Sequence, residues 1–211
     1  MGLRQWMTSG LVVAVAAGGT LGCSSPGVGQ PARQAVGKPD ITTLTDAMLV
    51  DETAFPPVQD GQFSSGVSRF ERSAIPSQPP ECSALIGQVP FTEIGQAVAG
   101  GDQWTMTVDV LLTPERPDLA GIVNKCGTIV DTANSVTATA ERVDAADLPD
   151  WAVAMRLNSP PPINPSVVAA GLYRGVLVRA LYWQPDGNLT PGMVDAVVKA
   201  FNDQVAKLQV A

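Results

Sequence analysis

Gln103-Trp104-Thr105-Met106-Thr107-Val108-Asp109-Val110-Leu111-Leu112-Thr113 decides the fold class. Trp104, Met106, Val108, Val110 and Leu112 alternate with Gln103, Thr105, Thr107, Asp109 and Leu111. A period of two puts each set on its own side of a β-strand. One side is apolar and the other mostly polar, as in an antiparallel sheet with one packed face. Asp109, on the polar side, is expected to face solvent.

The flanking sequence extends this pattern in both directions. Ile41 to Leu49 suits a short helix or turn, and Val67 to Arg72 a weak strand. Glu81 to Gln88 reads as a short helix with Cys82, Leu85 and Ile86 on one side. Pro117 to Lys125 reads as another, with Leu119, Ile122 and Val123 inward. Ser135 to Glu141 and Trp151 to Leu157 are further strands. Gly171 to Trp183 reads as one long strand with apolar groups on both sides. Leu172, Val176, Val178 and Ala180 point one way, and Tyr173, Leu177, Leu181 and Trp183 the other. Asp186-Gly187-Asn188 is a turn. Thr190 caps a helix whose first position is Pro191. Its apolar stripe runs through Met193, Val194, Val197, Val198, Phe201, Val205 and Leu208. These elements give an α+β class: an antiparallel sheet with helices packed on one face, in a single domain over residues 41–211.

The first 22 residues have another character. One basic side chain, Arg4, precedes an apolar run from about Leu11 to Ala17, and small residues follow. That order is a secretory signal peptide. Gly19-Thr20-Leu21-Gly22-Cys23 resembles the bacterial lipobox, with Thr20 where an aliphatic residue is usual. The resemblance implies cleavage before Cys23 and a diacylglyceryl group on its sulfur, holding the protein to the outer face of the cell membrane. The apolar run falls short of the roughly 20 residues that a membrane-spanning helix requires. Residues 23–40 then form the acylated cysteine and a Pro/Gly/Ser/Gln-rich tether, too poor in large apolar groups to fold alone.

Charge and residue counts narrow the function. The 211-residue chain has 13 basic and 20 acidic side chains and no histidine. Removing residues 1–22 takes away Arg4, so 12 basic against 20 acidic groups leave a charge of −8. No nucleic-acid partner is expected, because phosphate binding requires clustered Lys and Arg. The lack of histidine excludes Ser-His-Asp and Cys-His catalysis and every His-containing zinc site. With Cys23 acylated, Cys82 and Cys126 remain in an exported domain, where a disulfide between them persists; the alternative is two buried free thiols.

Several segments together are similar to mycobacterial envelope lipoproteins of an uncharacterised family related to the PknH-type extracellular sensor domain. They are Pro80-Glu81-Cys82-Ser83-Ala84-Leu85, the strand from Gln103 to Leu112, and Asn124-Lys125-Cys126. Tyr173-Arg174-Gly175-Val176-Leu177-Val178 and the terminal Phe201 to Leu208 complete the set. The resemblance covers most of residues 80–208. It implies an α+β sandwich with a cleft and a ligand-binding or sensing role, and supplies no catalytic residues. This chain cannot form the second disulfide of the PknH sensor.

No cofactor and no enzymatic activity are expected. Asp144, Asp147 and Asp150, preceded by Glu141, recur at intervals of three but lack the Asp-x-Asp-x-Asp-Gly calcium pattern, so they read as a solvated acidic loop. Tyr173, Arg179 and Trp183 are the candidate ligand residues, placed together by the reading of Gly171–Trp183 as one strand. A mostly apolar pocket with a few polar groups is the usual small-molecule site. The alternative is a packed sheet face with Arg179 at its edge. The expected function is a lipid-anchored, non-enzymatic envelope protein that binds a small amphiphile, a glycan or an envelope protein. The alternative is an interaction lipoprotein acting by surface contact without a cleft.

Overall fold

The alternation over Trp104–Leu112 forms a strand, and eight others join it in one antiparallel sheet. The structure is a computed structural model that describes residues 38–57, 61–74, 77–101, 104–132, 135–159, 165–184 and 189–211. Cys23, the signal segment and the tether up to residue 37 lie outside the described residues. In chain order the strands are β1 (Gln62–Arg72), β2 (Ser77–Gln78), β3 (Phe91–Gly101), β4 (Trp104–Leu112) and β5 (Thr128–Asp131). β6 (Val136–Val143), β7 (Ala152–Asn158), β8 (Ser166–Tyr173) and β9 (Val176–Trp183) follow. Their order across the sheet is β1-β3-β4-β9-β8-β7-β6-β5-β2.

The sheet carries a core on each face. On the first, Met106, Val108 and Val110 of β4 and Val176, Val178 and Ala180 of β9 are buried beneath helix α2 (Pro191–Val210). The expected stripe is the buried side of α2: Met193, Val197, Phe201, Val205 and Leu208. Within it sits Gln204, fully buried because both ends of its amide are paired. Its Nε2 donates to the Met48 carbonyl at 2.7 Å, and its Oε1 accepts from the Val50 N–H at 3.1 Å. One polar residue of the helix thus satisfies the backbone of the N-terminal segment, which would otherwise lose water without replacement.

On the second face lie a short helix α1 (Leu119–Ile122) and 3₁₀ turns at Pro80–Ala84 and Val123–Lys125. They cover Val153 and Met155 of β7 and Val168 and Ala170 of β8. A disulfide joins Cys82 to Cys126 with Cα atoms 5.7 Å apart. The α+β class and the antiparallel sheet hold, but helical elements cover both faces rather than one. The cause is visible in β8, where seven of eight residues are buried. A strand apolar on both sides needs cover on both.

Gly171–Trp183 is two strands, not one. β8 ends at Tyr173, Arg174 and Gly175 turn the chain with φ of 45° and 82°, and β9 begins at Val176. Positive φ at both central residues is the tight hairpin geometry whose twist matches the flanking strands. The turn inverts the face on which odd-numbered residues lie. Lys38, Pro39 and Asp40, expected at the end of the tether, are held against the domain. Arg174 Nε donates to the Pro39 carbonyl at 2.9 Å, Arg116 pairs with Asp40 at 3.2 Å, and Lys38 Nζ donates to the Gln209 carbonyl.

Candidate functional site

Registers on β1, β3, β4 and β9 build a continuous surface on the second face, beside the region that α1 covers. One row runs Gln62, Gly100, Thr105, Trp183. The next runs Ser64, Val98, Thr107, Leu181. Directly opposed residues in such rows stand about 5 Å apart, close enough to touch one ligand together. Gln62 and Ser64 are exposed, and Val98, Thr105, Thr107, Leu181 and Trp183 are half-buried. A groove of about 370 Å³ runs along the rim, lined by Gln62, Ser64, Val98, Gly100 and Thr105.

The third row is Gly66, Gln96, Asp109, Arg179. Asp109 is 1% exposed, so the expectation that it faces solvent is corrected. It is buried because it is paired. Arg179 donates to Asp109 Oδ2 from Nε at 3.1 Å and from Nη2 at 2.5 Å. Gln96 Nε2 donates to Asp109 Oδ1 at 2.9 Å. Arg179 Nη1 donates to the Ile86 carbonyl at 2.6 Å, tying the disulfide-bearing loop to the sheet. Both charges are met by opposite charge and hydrogen bonds, the condition for burying them.

Gly87 makes that loop contact possible. Its φ of +71° suits glycine, and a Cβ there would stand 1.9 Å from Arg179 Nη1. A side chain would therefore displace the guanidinium as well as strain the backbone.

The three candidate ligand residues do not share one face. Arg179 and Trp183 lie on the open side of β9, with Leu181 between them. Tyr173 is fully buried on the opposite side, its ring 5.6 Å from that of Trp151. Burial pushes its phenol above the ordinary value, against the opposing influence of Arg174 and Gln209. The hairpin at Arg174–Gly175 is the physical reason for the separation. Gln62, Ser64 and Val98 were missed as site residues because the β1–β3 pairing is not expected from the sequence. Thr105 and Thr107 were legible on the polar side of their strand.

Asp144, Asp147 and Asp150 lie in the loop between β6 and β7, all exposed. The Asp147 carbonyl accepts from Asn202 Nδ2 at 2.9 Å, so the loop is fastened to α2 through its backbone. Loop and helix border an open groove of about 520 Å³ that also meets Asp195, Lys199 and Asp203. Lys199 is paired with Asp203 at 2.7 Å. Among the described residues no group of three or more acidic or cysteine side chains is placed to hold a metal ion. Neither Tyr173, Arg179 nor Trp183 lines this groove or the rim groove.

No family model matches this chain, and no curated protein does. Solved structures do. The chain is similar to an uncharacterised protein from Mycobacterium smegmatis, the Rv0999 ortholog, with a TM-score of 0.50 and 11% identity. That likeness covers 75% of this chain and 93% of the other. The two share a fold. The extracellular domain of PknH from Mycobacterium tuberculosis is similar at a TM-score of 0.49 and 13% identity, covering 77% of this chain and 95% of that domain. The likeness to the Mycobacterium smegmatis protein meets, at the level of the fold, the resemblance drawn from the cysteine-bearing segments and the Trp104 strand. Among the described residues, no helix is long and apolar enough to cross a membrane.

Proposed function

We propose that this chain is a lipid-anchored, non-enzymatic envelope protein whose extracytoplasmic domain binds a ligand on the open face of β1, β3, β4 and β9. The observation that carries the reading is that face itself: Trp183 half-buried in register with Thr105, beside a rim groove of about 370 Å³. Small-molecule sites combine an apolar or aromatic surface with a few placed polar groups. Among the described residues the same face holds no nucleophile activated by a base, and histidine is absent from the whole chain.

Anchoring rests on the lipobox-like Cys23 and its preceding apolar run. Two acyl chains on one sulfur would provide the two-signal hold that stable attachment requires. The geometry suits such an anchor. Lys38 enters the domain at the Arg174–Gly175 end of β9, whereas Trp183 lies at the other end of that strand. Seven residue steps of about 3.4 Å separate the two ends, so Trp183 lies roughly 24 Å along the strand from the point where the anchored segment joins the domain.

Two measurements test this. The intact mass of the protein extracted from its own membrane should show a chain starting at Cys23 with added acyl mass; a Cys23 chain without it would end the anchoring claim. Native mass spectrometry of the same material should show a copurifying ligand or partner that is lost on substitution of Trp183. A ligand that survives that substitution and maps to the α2 groove would move the site.

A further inference from the structure

The open face differs from the rest of this acidic chain in its charge. The chain carries 20 acidic and 13 basic side chains, yet among the described residues the three rows from Gln62–Trp183 to Gly66–Arg179 display only two charged groups, Asp109 and Arg179. They neutralise one another through two hydrogen bonds to one carboxylate oxygen, and the Asp109 side chain is 2% exposed. An anionic or cationic ligand would meet no free counter-charge there and would lose hydration without repayment.

What remains on the surface is neutral and of two kinds. Gln62, Ser64, Thr105 and Thr107 hold no side-chain hydrogen bond among the described residues. Hydroxyls and amides of this type both donate and accept. Between them, Val98 and the Trp183 indole supply apolar surface. An acyl chain is a poor occupant, because apolar ligands are held by cavities that bury most of their surface, and this face is open. A ring with apolar faces and a hydroxylated edge fits both kinds of group.

We infer that the face is a binding platform for a neutral glycan, in which Trp183 packs on a sugar ring and Ser64, Thr105 and Thr107 bond its hydroxyls. This inference rests on the binding function proposed above and names its ligand class. Binding of this kind is insensitive to salt, because no ion pair forms on contact.

The test is an NMR titration of the full-length protein in a detergent without a sugar headgroup, using maltoheptaose and cellohexaose as neutral probes and dextran sulfate as the anionic one. A neutral probe should shift the amides of Ser64, Thr105 and Thr107. Trp183→Ala should weaken it by about tenfold or more, and Thr107→Val severalfold with unchanged thermal stability. Raising the salt from about 0.05 to about 0.5 M should leave the affinity within twofold. The Thr107→Val arm keeps the test valid if Trp183→Ala fails to fold. Preference for dextran sulfate, binding of neutral probes unaffected by both variants, or no binding of either neutral probe would overturn the glycan assignment. A copurified ligand lost with Trp183 would, in the last case, leave the binding function standing and refute only its class.

Discussion

Asp109 and Arg179 stand directly opposite one another on β4 and β9, joined by two hydrogen bonds of 3.1 and 2.5 Å to a single carboxylate oxygen. The pair lies at the boundary of the second face. Toward α1 the sheet is covered by the disulfide-bearing turns; toward Trp183 it is open. Arg179 also holds the Ile86 carbonyl, so one guanidinium links the sheet to the loop that ends the covered region. Its role here is positional, and an anionic ligand would have to compete with Asp109 for it.

Removing one partner should cost far more than removing both. Arg179→Met leaves a carboxylate only 2% exposed without its counter-charge. Loss of one member of a buried pair costs roughly 3–5 kcal/mol, whereas replacing both with apolar groups is often neutral. Denaturant unfolding should therefore show a large drop for Arg179→Met and recovery of most of it in Asp109→Leu/Arg179→Met. Additive losses in the double variant would show that the two side chains do not act as a unit.

Gly87→Ala should destabilise through the same contact. The new Cβ would fall 1.9 Å from Arg179 Nη1, at a φ that L residues rarely adopt. Strain of this kind costs about 1–3 kcal/mol. In an Arg179→Met background the clash is gone and only the backbone cost remains. Unfolding of Gly87→Ala should therefore be less damaging in that background than in the parent. Equal losses in both would mean that the loop yields without touching the guanidinium.

Much of this fold was legible where periodicity was strong and lost where it was weak. The Trp104–Leu112 alternation and the three–four spacing of α2 each appear as read. β3 was not foreseen, since Gly95, Ala97 and Ala99 occupy its inward positions and such small residues carry little strand signal. Without β3 there is no row from Gln62 to Trp183, and the open face could not be assembled. The Arg174–Gly175 turn was missed for a related reason. It lacks the Asn-Gly or Asp-Gly signature, and the apolar residues of β8 and β9 run on either side of it as if one strand. That single omission put Tyr173 on the wrong side of the sheet.

Cys82→Ser with Cys126→Ser should lower stability by up to about 4 kcal/mol, the chain-entropy value for a loop of this length. The two cysteines are 44 residues apart and fully buried, so the hydroxyls also enter an apolar site. Thermal unfolding of the double variant and of the reduced parent should agree. The Trp183 face should keep its amide shifts at temperatures below the new transition, because the disulfide-bearing loop meets β9 at Arg179, two rows from Trp183. Loss of those shifts in a variant that remains folded would tie the disulfide to the site.

Acid sensitivity should trace to Glu93. Its Oε2 accepts from the Leu44 N–H at 2.7 Å and its Oε1 from Arg69 Nε at 3.2 Å, fastening the N-terminal segment to β3. The Leu44 N–H, with help from Arg69 and Thr43, holds the carboxyl below its ordinary value of 4.5 despite opposition from burial. A carboxyl depressed in the folded state binds fewer protons there than in the unfolded chain. Its stabilisation is complete above about pH 4.5 and is lost as the pH falls through the lower folded value. Asp51, lowered chiefly by Thr53 and then by Lys207, acts in the same direction. Melting temperatures measured down the acid limb should therefore fall more steeply for the parent than for Glu93→Gln. The two curves should converge at the most acidic end, with the residual slope of the variant reflecting Asp51. Parallel curves would mean that the Glu93 contacts contribute equally to the protonated and ionised forms.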